Sequence, residues 1–91
     1  MIFNITFTPQ FRNEATTFER SGKSIIINGD EFDFSPISPG DVLPKDAIGS
    51  DLFVGDVSCD DDGDVSMKLI YSCQEGDEEF SLLVESDGVI L

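Results

Sequence analysis

Residues 23–34 read KSIIINGDEFDF and contain the clearest structural signal in the chain. The pair Asn28-Gly29 separates two apolar runs and is typical of a type I′ hairpin turn, because both central residues of that turn need positive φ. A two-residue turn at this point predicts that Ile27 faces Asp30 across the hairpin. Side chains alternate between the faces of a strand, so four of them are expected to share the core face. These four are Ile25, Ile27, Phe32 and Phe34.

Outward from this hairpin, the sequence continues as short apolar stretches separated by turn residues. Residues 1–8 alternate as a strand that is expected to end at Pro9, since proline cannot donate to a central ladder. Further strands are predicted over residues 15–20, 23–27, 52–58, 65–73, 80–84 and 89–91. The turns between them are predicted at Ser21-Gly22, Asp62-Gly63, Gly76-Asp77 and Asp87-Gly88. The resulting fold is all-β, mainly an antiparallel meander of hairpins, in the form of a small sandwich, roll or barrel.

One helical turn is expected between the strands. Three prolines and two glycines interrupt residues 35–50, and Pro44–Ile48 can form a single turn that Gly49 ends. With 91 residues and eight Phe, the chain has the size and apolar content of one domain spanning residues 1–91.

The charge is strongly negative and unevenly distributed. The formal net charge is −14, and 17 of the 19 acidic residues but only two of the five basic ones follow residue 28. Such a field repels nucleic acid and anionic membranes and accelerates encounter with basic proteins. The alternative interpretation is that the acidity serves solubility alone.

Several chemistries lack the residues that they need. The chain has no His, so Ser–His and Cys–His nucleophile pairs and zinc sites are not expected, and no phosphate-binding or nucleophile-elbow motif occurs. We therefore expect a protein that is not an enzyme and has no cofactor. Cys59 and Cys73 form either a disulfide or two buried free thiols. The N-terminal residues resemble no export signal and no apolar run is long enough to cross a bilayer, so a cytoplasmic protein without a membrane partner is expected.

Two acidic runs are the candidate binding residues. The first surrounds Gly63 and invites comparison with a calcium-binding EF-hand loop, but placing Gly63 at the sixth position puts Ser58 first and Leu69 twelfth, where acids are required. A simple hairpin would make Asp61 face Asp64, a repulsive pair that either a cation or solvent would relieve. The predicted partner-binding residues are Asp60, Asp61, Asp62, Asp64, Asp77, Glu78 and Glu79.

Four segments resemble a group of small acidic proteins encoded by tailed bacteriophages and prophages. The segments are FTP at residues 7–9, INGDEFDFS at 27–35, LPKDAI at 43–48 and FVGDV at 53–57. The resemblance implies a phage origin, often near tail genes, and it implies no catalytic or binding residues.

Two functions are compatible with these features. The first is an interaction protein, such as an acidic nucleic-acid mimic that inhibits a host nucleic-acid-binding defence protein. The second is a small structural or assembly accessory protein of the phage tail. In both, the partner is a basic host or phage protein rather than nucleic acid, and the protein acts in the host cytoplasm or associates with the virion.

Overall fold

Nine strands and one helical turn form the part of the chain that the computed structural model describes, residues 1–11, 16–73 and 78–91. The all-β prediction with one short helical turn is therefore confirmed. The strands are β1 (Phe3–Phe11), β2 (Phe18–Ser21), β3 (Ser24–Ile27), β4 (Asp30–Asp33), β5 (Val42–Leu43), β6 (Val57–Cys59), β7 (Val65–Cys73), β8 (Phe80–Val84) and β9 (Gly88–Val89), and the helix is α1 (Lys45–Ile48).

Two sheets enclose the core. The five-stranded sheet has the order β5-β6-β7-β1-β8, and the four-stranded sheet has the order β4-β3-β2-β9. Phenylalanine rings pack against each other between the sheets, in edge-to-face pairs. The ring centroids of Phe7 and Phe18 are 5.0 Å apart, and those of Phe3 and Phe34 are 5.9 Å apart. Each of these four side chains is at most 2% exposed, so aromatic burial provides much of the apolar stabilisation.

The hairpin at Asn28-Gly29 has the predicted turn and register. Asn28 has φ 51° and Gly29 has φ 86°, the positive values that a type I′ turn requires. Ile27 pairs with Asp30, and Ile25 pairs with Phe32. The preceding hairpin between β2 and β3 turns at Gly22-Lys23, one residue later than predicted, because Ser21 already pairs with Ser24.

Strand β1 continues through Pro9 to Phe11, which corrects the prediction that it ends at Pro9. The Val65 N–H donates to the Ile2 carbonyl. Because the direction of the backbone N–H and carbonyl groups alternates along a strand, these groups point toward β7 in even-numbered residues of β1 and toward β8 in odd-numbered residues. The ladder with β8 stops at Phe7. The missing N–H of Pro9 therefore lies on the side where the partner strand has already ended, and proline costs no ladder hydrogen bond there.

The strand order departs from a simple meander at β1. This strand lies between β7 and β8, parallel to the former and antiparallel to the latter. Consequently β7 and β8 do not pair as a hairpin, and the predicted turn at Gly76-Asp77 lies outside the described residues. The turn at Asp87-Gly88 carries β9 across to β2 in the other sheet instead of back onto β8. Neighbours on both edges stabilise the part of β1 whose inward side chains, Phe3, Ile5 and Phe7, are fully buried.

The connector between β4 and β6 has the expected helical turn. Pro44 precedes α1, and Gly49 ends it in the left-handed conformation. The Asp56 carboxylate accepts a 2.9 Å hydrogen bond from the Lys45 N–H and fixes the start of the turn. The strand predicted over residues 52–58 is shorter, with only Val57–Cys59 in regular pairing and an isolated bridge at Phe53.

Arg20 joins the two sheets from inside. Its side chain extends from β2 and donates to the carbonyls of Val84 and Met1, both at 2.7 Å, and to that of Gly22 at 2.9 Å. The guanidinium also lies 4.7 Å from the centroid of the Phe3 ring, a cation–π contact. The residue is 7% exposed, and its charge is satisfied mainly by backbone oxygens.

Candidate acidic interface

The loop between β6 and β7 contains the first acidic run. Cys59 pairs with Val65, the Asp60 N–H donates to the Asp64 carbonyl at 2.9 Å, and the Gly63 N–H donates to the Asp60 carbonyl at 3.1 Å. Gly63 has φ 85°, so a three-residue loop closed by a left-handed glycine replaces the simple two-residue turn. Asp60 therefore faces Asp64, and the expected pairing of Asp61 with Asp64 is wrong.

Two of the four carboxylates in this loop accept hydrogen bonds from backbone N–H groups. The Asp60 carboxylate accepts hydrogen bonds from the N–H groups of Asp62 and Asp64, each at 2.9 Å. The Asp64 carboxylate accepts one from the Ile2 N–H at 3.0 Å and so fixes the start of β1. Asp61 and Asp62 are exposed, and their carboxylates form no hydrogen bond or ion pair with any described residue.

A fifth carboxylate lies beside this loop. The Gly40 N–H donates to the Cys59 carbonyl and the Cys59 N–H donates to the Asp41 carbonyl, both at 2.9 Å. We call the resulting cluster the acidic end; it consists of Asp41, Asp60, Asp61, Asp62 and Asp64. The position of Asp41 beside this loop is not apparent from the sequence, because strand β5, which follows it, has only two residues and no recognisable pattern.

The negative charges of the acidic end affect the pKa of the Cys59 thiol. Burial raises the pKa of this thiol, and the neighbouring charges of Asp60, Asp41 and Asp64 raise it further. The thiol is free and remains protonated at neutral pH. A disulfide with Cys73 is excluded by register, since Cys59 pairs with Val65 and Cys73 lies eight residues further along β7, about 26 Å away.

A recess adjoins the acidic end. It has a volume of about 250 Å³, and Asp33 and Asp41 are among the residues that line it. The Asp33 carboxylate accepts a hydrogen bond from the Ser35 N–H, and that of Asp41 accepts one from the Ser38 N–H, both at 2.9 Å. The apolar lining is formed by Pro36, Ile37, Val42 and Leu43.

The second acidic run lies elsewhere. Asp77 falls outside the described residues, while Glu78 and Glu79 are exposed. The Glu79 carboxylate accepts from the Thr8 hydroxyl at 3.1 Å and pairs with the Lys68 ammonium at 3.2 Å. Asp64 contacts Ile2 and Glu79 contacts Thr8, so the two runs are separated by six residues of β1, about 20 Å. The six predicted binding residues that the structure describes therefore do not form one cluster.

Neither acidic run forms a metal site in the described part of the chain, where no group of three or more Cys, Asp or Glu side chains is arranged to hold an ion. Across residues 1–11, 16–73 and 78–91 there is also no helix with the length and apolar character required to cross a bilayer.

Comparison of the chain with protein-family models, with curated proteins and with solved structures finds no match.

Proposed function

We propose that the protein is a non-catalytic interaction protein that binds a basic partner protein through the acidic end. The observation that carries the proposal is the concentration of five carboxylates there, none of which forms an ion pair with a described residue. The two ion pairs of the described residues, Arg20–Asp87 and Lys68–Glu79, both lie elsewhere. The carboxylates of Asp61 and Asp62 keep their full attraction for an incoming cation, because no internal partner among the described residues has to be displaced.

The recess beside Asp41 suggests how the partner is held. An Arg or Lys side chain has an apolar stem and a charged head, and it binds well where apolar surface ends in carboxylates. Ile37 and Val42 offer that surface, and Asp33 and Asp41 retain free acceptor positions after their hydrogen bonds to Ser35 and Ser38. We expect one basic side chain of the partner to occupy the recess while others contact Asp61 and Asp62.

The expected partner is a nucleic-acid-binding protein. Its basic groove is built to neutralise a row of phosphates, and a rigid row of carboxylates competes for the same groove. The resemblance to small acidic proteins of tailed phages suggests a bacterial host, so the partner in this proposal is a host defence protein and the protein acts as its inhibitor.

The test is affinity capture from bacterial lysate at low salt, followed by stepped salt elution. Wild-type protein is expected to retain a basic nucleic-acid-binding protein that elutes as NaCl rises and that duplex DNA displaces. The double variant Asp61→Lys/Asp62→Lys is expected to lose this protein. These two residues are chosen because reversing Asp60 or Asp64 would also break the turn that their carboxylates hold.

The matched control is Asp30→Lys/Glu31→Lys on strand β4. It makes the same change in net charge at exposed positions of the other sheet. Retention by the control together with loss by the loop variant supports a local site. Equal loss in both variants would reduce the effect to net charge and contradict the proposal.

A second candidate function is that of a small tail-assembly accessory protein, and one observation favours it. Leu83 on β8 and Val89 on β9 are 68% and 78% exposed, although both lie on regular strands. Exposed apolar residues on neighbouring edge strands are typical of surfaces that pack against another protein. Co-sedimentation with assembled phage particles from an infected lysate, retained at high salt, would support this function over the mimic.

A further inference from the structure

Strand β8 is the one long edge without charged residues in the described part of the fold. The two sheets have four edges, formed by β4, β5, β8 and β9. Strands β5 and β9 have only two residues each, and β4 carries Asp30, Glu31 and Asp33. Short length and charge both discourage pairing with another chain. Strand β8 has five residues, FSLLV, and neither feature protects it.

The backbone groups available on this edge follow from the register. Odd-numbered residues of β1 face β8, so Phe80, Leu82 and Val84 use their N–H and carbonyl groups toward β1. The alternation directs the N–H and carbonyl groups of Ser81 and Leu83 to the open side. Among the described residues no strand pairs with that side.

A recess accompanies the open edge. It lies between β8 and β9, at the side where the two sheets part, and has a volume of about 240 Å³. Leu82, Val84 and Ile90 are among its apolar lining residues, and Glu85 and Asp87 are among its polar ones. A strand added to β8 would direct every second side chain toward this recess.

The charges at the ends of β8 disfavour a second copy of the chain as the occupant. Antiparallel self-pairing over the whole strand is centred on Leu82 and places Glu79 of each copy opposite Glu85 of the other. Parallel pairing in register places like residues together. Both arrangements set carboxylates directly across from each other, which destabilises a strand pair.

We propose that β8 binds an extended segment of another protein by strand addition, and that this segment has alternating apolar residues and a Lys or Arg at each end. One basic end would lie against Glu85, which forms no ion pair with a described residue, and the other against Glu79, whose charge is shared with Lys68. The apolar residues would enter the recess. The inference deepens the second candidate function, since it names the chemistry that the exposed edge accepts, and it does not depend on the acidic end.

The test uses a blocked seven-residue peptide of alternating Val and Thr with Lys at both ends, so that its two charges are spaced like Glu79 and Glu85, and a second peptide with Glu at both ends. The lysine-ended peptide is expected to bind about tenfold more tightly, with affinity that falls as salt rises. Hydrogen exchange followed by NMR is expected to show new protection at the Ser81 and Leu83 amides. Equal affinity of the two peptides, absence of binding at millimolar concentration, or protection of these amides by self-association without peptide would overturn the proposal.

Two variants separate backbone pairing from apolar contact. Leu83→Pro removes the outward N–H without removing a bond to β1, and it is expected to abolish binding. Leu83→Thr keeps that N–H and is expected to retain binding. If Leu83→Pro does not fold, the comparison of the two peptides on wild-type protein still decides the question. Failure of both peptides while the protein still co-sediments with phage particles would reject the edge proposal and leave the accessory function standing.

Discussion

Arg20 illustrates how a buried charge can be satisfied mainly by backbone carbonyls. Its three hydrogen bonds go to carbonyls from both sheets, while the nearest carboxylate oxygen, on the exposed Asp87, is 4.0 Å away. Hydrogen bonds from a charged donor are stronger than neutral ones, and a buried carbonyl left without a donor is costly. No pattern in the sequence distinguishes Arg20 from an exposed basic residue, because two of its three partners, Met1 and Val84, lie far away in the chain.

We predict that Arg20→Met lowers the free energy of unfolding by about 2–4 kcal/mol, because it removes the guanidinium donor to the Met1 carbonyl and the donor that the Val84 carbonyl has in addition to its ladder partner. Urea denaturation followed by circular dichroism measures the change. Lys23→Met removes the same charge from an exposed position and is expected to change stability by less than about 0.5 kcal/mol. Equal effects of the two variants would contradict the assigned role of Arg20.

Asp33 is expected to titrate below its ordinary range. A hydrogen bond from the Ser35 N–H lowers the pKa of this carboxyl most, and one from the Ser35 hydroxyl lowers it further, with a smaller contribution from Lys23. Since the folded-state pKa is below the unfolded value, the resulting stabilisation is present above pH 3.8 and is lost as the pH falls through the lowered pKa.

The variant Ser35→Ala tests this assignment. It removes the hydroxyl but keeps the N–H, so the Asp33 pKa is expected to rise only part of the way toward its ordinary value. Carboxyl carbon shifts followed by NMR against pH give the measurement. Ser58→Ala, on a strand of the other sheet, is the control and should leave Asp33 unchanged. An Asp33 titration that is the same in Ser35→Ala and in the wild type would disprove the role of the hydroxyl.

At the scale of elements, the sequence predicts the positions of turns better than it predicts which strands lie next to each other in a sheet. Asn28-Gly29 determines its hairpin because the constraint is local: two positive φ values and a fixed loop length set the register. The position of β1 between β7 and β8 has no such local signal. Alternation in residues 1–8 identifies which side chains are buried, but it contains no information about which strand lies alongside.

We predict that Gly63→Ala destabilises the loop of the acidic end by about 1–2 kcal/mol, since an L side chain is strained at φ 85°. An added Cβ would meet no atom within 4 Å, so the cost comes from the backbone conformation. Gly55→Ala also meets open space but without positive φ, and it should be close to neutral. Thermal unfolding of both variants tests the difference, and similar melting temperatures for the two would refute the loop geometry.

For the molecule as a whole, the net charge of −14 must oppose folding, because carboxylates that are far apart in the unfolded chain are drawn together. We predict that the free energy of unfolding rises by about 1 kcal/mol between 20 and 300 mM NaCl as screening weakens this repulsion. Asp61→Asn/Asp62→Asn should be more stable than the wild type at low salt and respond less to added salt. Stability that falls with NaCl would show that attractive ion pairs dominate.

The acidic end was only partly predictable from the sequence. The run around Gly63 is visible as a charge cluster, yet the sequence does not distinguish the carboxylates that hold the turn, Asp60 and Asp64, from the two that remain free. Asp41 joins the cluster only through tertiary pairing. Conversely, Glu79 is part of a conspicuous acidic run but is partly neutralised by Lys68, eleven residues earlier in the chain.

The central place of β1 also has a consequence for synthesis. During translation this strand leaves the ribosome before the other described strands, but both of its partners, β7 and β8, are made only after β2 to β6. The hairpins β2–β3 and β3–β4 need only their neighbours and can close within a few residues of emerging. The five-stranded sheet cannot be completed until residue 84 has been added, and β1 lacks its neighbouring strands until then. We therefore expect the four-stranded sheet to form first and the five-stranded sheet to assemble on it.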